Sequence, residues 1–222
     1  MQSSAPKPKA LCVFYSLSGQ TTKLVRAFAD GFAEAGGTVT VLRLHPAKKI
    51  PFPFPTMLMT AWMMFRTLFK VKDPVVESTP LSFDPDVVIV GGPTWSFNPS
   101  GPILAWLDHD GKWVLKGKPV IPLISCRSYW KLHWWELKKS ILALGGKPEG
   151  PVVFTHPLKE PWRSIGVFLV LMGKNPEKMP LIKHHFPRYG HTHDQADEAK
   201  RLGAELACAL ASGQSRLERS VN

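Results

Sequence analysis

Cysteine is scarce. Cys12, Cys126 and Cys208 are the three present in 222 residues, too few and too scattered for a disulfide framework, and no CxxC pair offers a structural zinc site. A reducing compartment, the cytoplasm, is therefore expected. No apolar run reaches the roughly 18 to 20 residues that cross a bilayer, so no membrane span is expected. The opening MQSSAPKPK has no apolar core ahead of a cleavage site, and residues 1–10 read as a flexible, solvated tail. Internal repeats are absent, and the one low-complexity tract, Pro51-Phe52-Pro53-Phe54-Pro55, is expected to be extended and polyproline-like. Acid is missing from a long stretch: between Ala35 and Lys72 there is no Asp or Glu, while Arg43, Lys48, Lys49, Arg66, Lys70 and Lys72 are basic. With a formal charge of +11, such a surface attracts nucleic acid, anionic lipid or an acidic protein, and charge alone does not choose among them.

What is present is core-forming. A hydrophobic content of 44% and eight Trp exclude disorder by composition. The length suits one soluble domain over residues 1–222 that carries insertions.

Strands and helices alternate. Leu11 to Tyr15 is an apolar strand, and after a short loop Leu24, Val25, Phe28, Ala29 and Phe32 form one helical stripe ending at Gly36-Gly37. Thr38 to Leu44 reads as a second strand. Asp86 to Val90 is a continuous apolar run before Gly91-Gly92-Pro93, as in a strand buried on both faces. A short helix follows Gly101-Pro102, Pro119 to Ile124 is a fourth strand, and Leu132 to Leu144 is a helix stopped by Gly145-Gly146. Pro151 to Thr155 is the fifth strand, and Asp194 is the expected cap of a helix from Gln195 to about Ala211. The fold class is α/β, a doubly wound five-stranded parallel sheet with helices on both faces. Residues 46–85 and 156–193 are too long for ordinary connections and read as two long insertions.

In such a sheet, ligands sit beyond the carboxyl ends of the strands, where the strand order reverses. The loop after the first strand carries Ser16, Ser18, Thr21 and Thr22 around Gly19, immediately before a helix. Backbone amides, hydroxyls and a positive helix end together suit a phosphate, although the same residues also serve as ordinary N-caps. Neither GK[ST] nor GxGxxG is present, which removes nucleoside triphosphate and ordinary dinucleotide binding. The loop after the third strand, Gly92 to Gly101, and the loop Ser125-Cys126-Arg127-Ser128-Tyr129-Trp130 both place aromatic residues where a planar ring could lie.

The runs Y-S-L-S-G-Q-T-T-K at 15–23 and G-G-P-T-W-S-F-N-P-S-G-P at 91–102 resemble the flavodoxin-like fold, especially its FMN-dependent NAD(P)H and quinone reductase branch. The resemblance covers roughly 11–45, 84–155 and 194–212. It implies that Ser16, Ser18, Gly19, Gln20, Thr21 and Thr22 hold the phosphate of FMN. It also implies that Pro93, Thr94, Trp95, Ser96, Phe97 and Asn98 line the isoalloxazine ring, and that Ser125, Arg127, Tyr129 and Trp130 form the third flavin loop. That third loop lacks the Gly-rich or acidic pattern common in the family, and Arg127 would favour the anionic reduced flavin. The implied function is an oxidoreductase passing electrons from NAD(P)H through FMN to a hydrophobic or quinone-like acceptor. The alternatives are an electron carrier, or an interaction module that binds an acidic or lipid partner. Some flavodoxin-like chains are associated with alkylresorcinol-type lipid biosynthesis, and family reductases commonly form homo-oligomers.

The insertions are greasy. Met57 to Phe69 holds four of the seven methionines and is apolar on nearly every face, and Ile165 to Met172 is a second apolar stretch flanked by Lys159, Arg163 and Lys174. Together they suggest one shared site for an apolar substrate presented by an acidic carrier or an anionic membrane, with peripheral membrane association. Nucleic acid is not an expected partner. His184, His185, His191 and His193 match no metal-ligand spacing, so no metal is expected and a lid or loop contact is the reading. Cys126 reads as a small packing residue, and no residue is singled out as catalytic.

Overall fold

Burial at every position but the first marks β1 (Lys9–Phe14) as a central strand. A computed structural model describes residues 7–76, 83–186 and 190–213. In chain order the further elements are α1 (Gln20–Glu34), β2 (Thr38–Arg43), α2 (Met57–Leu68), β3 (Val87–Trp95), β4 (Asn98–Pro99) and α3 (Gly101–Trp106). A π-helical turn, Leu107–Gly111, leads to α4 (Lys112–Val114), and then come β5 (Pro119–Cys126), α5 (Trp130–Ala143), β6 (Lys147–Pro148), β7 (Val152–Thr155), α6 (Trp162–Leu171) and α7 (His193–Ala211). The parallel sheet runs β2-β1-β3-β5, and β6 and β7 share the fifth position beside β5. This is the flavodoxin-like order, with its reversal between β1 and β3.

Period-two alternation along β1 divides the core. Ala10, Cys12 and Phe14 pack with Leu24, Phe28 and Phe32 of α1 and Ala199 and Leu206 of α7. Leu11, Val13 and Tyr15 pack on the other side with Ile103 and Trp106 of α3 and Leu137 and Ile141 of α5. Each fully buried Phe or Leu in these layers stabilises the fold by about 2 kcal/mol. The helices α1 and α7 meet backbone to backbone. A Cβ on Gly31 would stand 1.9 Å from the carbonyl oxygen of Lys200, and one on Gly203 would stand 2.0 Å from that of Phe28.

Several boundaries differ from the sequence expectation. Residues 1–6 of the expected tail lie outside the described residues, while Lys9 and Ala10 already belong to β1. β3 continues past Val90 through Gly91-Gly92 to Trp95 and turns back into the short antiparallel β4. The cap of α7 is Thr192 rather than Asp194. Thr192 Oγ1 accepts from Gln195 N at 3.1 Å, and Gln195 Oε1 accepts from Thr192 N at 3.2 Å, a reciprocal box that leaves Asp194 in the first turn. The Pro51–Pro55 tract bends at 52–53 and again at 55–56 instead of running straight. It buries Phe54, whose N–H donates to Leu171 O at 2.6 Å.

Both insertions carry their own helices. The first leaves and rejoins the sheet through a bridge between Pro46 and Val75 and holds α2; the second holds α6 and two 3-10 turns. Parts of each, 77–82 and 187–189, lie outside the described residues. No described helix is long and apolar enough to cross a membrane.

Candidate functional site

The carboxyl ends of β1, β3 and β5 open into one cleft of about 1170 Å³ counted out to its open mouth, covered by α2 and α6. Its surface is mainly apolar with a few convergent polar groups, the usual character of a cofactor or small-molecule site. The two greasy insertions therefore meet over a single site.

At one end lies the loop after β1. Gly19 precedes α1 with φ 84°, a left-handed conformation that glycine adopts without a Cβ clash, and it provides no side-chain cap. No acid occupies the first turn, so the positive helix end is left uncompensated. Ser16 is buried, and its Oγ accepts from Thr22 N at 3.4 Å. Thr22 Oγ1 is buried with no hydrogen-bond partner, a donor awaiting an acceptor. Ser16, Ser18, Gln20 and Thr21 line the cleft; Gly19 and Thr22 lie just behind that lining. Uncapped amides, hydroxyls and an orphaned donor fit a phosphate group.

Pro93, Thr94, Trp95 and Ser96 line the cleft from β3 and its turn. Trp95 lies edge-on to Tyr15, centroids 5.6 Å apart, and burial raises the Tyr15 pKa well above its usual range. The hairpin turn is filled by Ser96 and Phe97, both at positive φ (44° and 74°), where Asn-Gly is the ordinary choice. The turn is held by Thr67 Oγ1, which donates to Ser96 Oγ at 2.7 Å, and by the edge-to-face contact of Phe97 with Tyr129 at 5.3 Å. Thr94 Oγ1 sits 2.7 Å from His133 Nδ1. Burial pushes the pKa of His133 down to about 3, so its ring is neutral.

The aromatic walls differ in detail from the sequence expectation. Phe97 and Tyr129 lie in a second pocket beside the cleft, lined also by Met64, Phe65 and Leu68. Trp130, the first residue of α5, is half-buried and lines neither space. Asn98 is buried away from the cleft, and its Nδ2 donates to the carbonyls of Thr67, Leu68 and Ser96 at 3.0, 3.3 and 3.2 Å. Trp95 is thus one wall, and α2 and α6 supply the rest through Met63, Met64, Phe168 and Leu171. The fourth strand runs two residues past Ile124, so Ser125 and Cys126 line the cleft from the end of β5 and Arg127 from the loop after it. Arg127 Nη1 donates to Ser164 Oγ at 3.3 Å, tying that loop to α6. Burial pushes the Cys126 thiol up to about 12, which suits packing and not nucleophilic attack.

The four histidines separate. His184 and His185 lie against each other with tilted rings, centroids 3.7 Å apart, and His185 stacks on Trp162 at 3.6 Å; His193 is exposed at the start of α7. His191 is buried in the cleft, its Nε2 2.7 Å from Ser125 Oγ and its Nδ1 3.0 Å from Gln195 Oε1. Because Gln195 Nε2 donates to Thr155 O at 2.8 Å, its Oε1 must accept; Nδ1 of His191 then carries the proton and Nε2 accepts from Ser125. His191 N donates to Gln20 Oε1 at 2.9 Å, Gly190 N donates to His156 Nε2 at 3.0 Å, and Lys23 Nζ reaches the carbonyl of Thr192 at 3.2 Å. The second insertion is thereby clasped to the loop after β1. Sequence reading named His191 as a loop contact but gave no signal for His156, 35 residues away in the chain, or for Gln195 as the partner of the His191 ring. Among the described residues no group of three or more His, Cys, Asp or Glu could hold a metal ion.

No protein family matches the chain by its sequence profile, and no curated protein matches it. Solved structures do. A flavodoxin from the domain Archaea superimposes with TM-score 0.50 and 15% identity, over 91% of this chain and 98% of that one. A flavoprotein in complex with FMN from Lactobacillus acidophilus NCFM gives 0.51 and 19%, over 66% and 93%. The flavodiiron protein from Giardia intestinalis gives 0.51 and 14%, over 96% of this chain and 39% of that chain. The class is thereby defined: this chain has the flavodoxin fold.

Proposed function

We propose that the chain binds FMN and passes electrons from it to an apolar, quinone-like acceptor. One observation carries this reading. The start of α1, with no cap from Gly19, hydroxyls at Ser16, Ser18 and Thr21 and the unpartnered Thr22 Oγ1 just behind them, forms one end of a cleft whose remaining walls are mainly apolar and include Trp95. An anion-binding end joined to an apolar slot suits a phosphate tethered to a flat ring. The flavoprotein from Lactobacillus acidophilus, a complex with FMN, has the same fold.

In this reading Ser16, Ser18, Gln20, Thr21 and Thr22 hold the phosphate, and Thr94, Trp95 and Ser96 border the ring. Arg127 keeps a positive charge in the cleft, which favours negative charge on a bound ring. Ser125, its hydroxyl directed to His191, lies within reach of polar ring edges. FMN, when bound, supplies reversible uptake of one or two electrons. The chain's own residues bind and orient it, and α2 and α6 exclude water. NAD(P)H is the proposed donor.

The test is a titration of FMN into the purified chain, followed by flavin fluorescence and melting temperature, and then by NADH and NADPH oxidation with a water-soluble quinone. Quenched fluorescence, a raised melting temperature and quinone-dependent turnover are expected. Binding without nicotinamide oxidation would recast the chain as an electron carrier. No binding would leave it an interaction module.

A further inference from the structure

The helix α2 reverses the usual rule that a surface helix turns its apolar stripe inward. Its buried residues are Thr60, Met63 and Thr67. Facing out are Leu58 (81% exposed), Trp62 (57%), Phe65 (52%) and Leu68 (52%), with Phe69 (64%) just past the end. At 100° per residue, the exposed positions from Met64 round to Trp62 span an arc of about 160°, and no polar or charged side chain interrupts it. The rings form a ladder: Trp62 stacks on Phe65 at 5.8 Å, and Phe65 meets Phe69 at 4.6 Å.

This outward face runs into the mouth of the site. Phe65 and Leu68 also line the second pocket with Phe97 and Tyr129, and that pocket shares Met64, Thr94, Ser96 and Arg127 with the main cleft. The chain segment that carries α2 is basic, with no Asp or Glu from Ala35 to Lys72. Lys48 and Lys49 are exposed close to the Pro46–Val75 bridge, and Lys131 is exposed near the start of α5. Some neighbouring charges are already matched: Arg66 with Asp73, Lys70 with Glu136, and Lys72 with Asp108.

We propose that the outer face of α2 seats the chain on an anionic phospholipid surface, with the Phe65–Phe97–Tyr129 pocket opening towards the acyl region. A 12-residue helix is about 18 Å long, too short to cross a bilayer and long enough to lie in its interface. The arc offers no polar group with which a protein partner could fix orientation, whereas lipid requires none. Its aromatic ladder suits the headgroup boundary, and the acid-free basic segment that holds it, in a chain of formal charge +11, complements anionic headgroups. An acceptor dissolved in the membrane would then enter the cleft without passing through water. The surface assignment stands independently of the flavin.

The experiment is co-sedimentation of the full chain, with and without FMN, on vesicles of phosphatidylcholine alone and of phosphatidylcholine with about 30% phosphatidylglycerol. Binding to the anionic vesicles at low salt is expected, with about tenfold weaker binding for the triple variant Leu58→Gln, Trp62→Gln, Phe65→Gln, whose residues are all more than half exposed. The variant Lys48→Glu, Lys49→Glu leaves the helix untouched and should also weaken binding. No vesicle binding by the parent chain, or equal binding by the triple variant, overturns the proposal. So does a parent dimer in sedimentation velocity that becomes monomeric in the triple variant while vesicles remain unbound, because a second copy then covers the face. Vesicle binding that persists when FMN fails to bind defeats the flavin reading and leaves the lipid surface standing.

Discussion

Ser125 Oγ lies 2.7 Å from His191 Nε2, joining the end of β5 to the end of the second insertion inside the cleft. Both side chains are buried at the wall of the cleft. Replacing Ser125 by Ala leaves a buried imidazole acceptor unsatisfied, and about 1 to 2 kcal/mol of stability should be lost. A fall in the urea midpoint at constant slope measures it. FMN affinity should fall as well, because the same stretch orients Gln20 through His191 N.

Thr22→Val should act in opposite directions on the empty and occupied chain. Val matches the shape of Thr and removes a buried hydroxyl that has no partner. Stability without ligand should be unchanged or rise by up to about 1 kcal/mol. The Kd for FMN should rise about tenfold, equivalent to the loss of one good hydrogen bond. Fluorescence titration beside denaturant melts separates the two effects.

Asn98 is the joint between the hairpin and α2. Its amide serves three carbonyls, two of them in the last turn of α2. Asn98→Ala should cost about 2 kcal/mol. Amide hydrogen exchange should accelerate across residues 57–68 before it does so in β1 or β3.

Acid should weaken the fold through its buried imidazoles. Burial lowers His133 from 6.5 to about 3, and burial with nearby positive charge lowers His156 to about 4. Below pH 6.5 the unfolded chain takes up protons that the folded chain refuses until those lower values are reached. Stability from these groups is therefore complete above pH 6.5 and declines as pH falls towards 3. Urea midpoints at about pH 5 and about pH 7.5 should differ in that sense, and His133→Gln should reduce the difference.

The sheet and the loop after β1 were legible because their chemistry is local. Apolar runs such as Val87–Val90 and the hydroxyls around Gly19 sit beside the residues they serve. Asp194 and Thr192 are equally good caps by type, and the choice was made by Gln195 closing the box onto Thr192. Asn98 lies in the motif of the second loop, but faces the end of α2, an element of the first insertion that no local pattern ties to it. The orientation of α2 was hidden for a physical reason. Its apolar arc would by the usual rule face the core, yet its two threonines lie inward, where Thr67 Oγ1 donates to Ser96 Oγ of the hairpin turn. His156 and His191 became neighbours only through tertiary closure of the second insertion.

The glycine contacts between α1 and α7 have a mechanical result. One helix starts at the hydroxyl loop and the other at Thr192, beside the imidazole that bonds Ser125. With no room for a side chain between them at Gly31 and Gly203, the spacing of the two rods, and with it the distance between their starting points at the two shores of the cleft, is set by backbone contact.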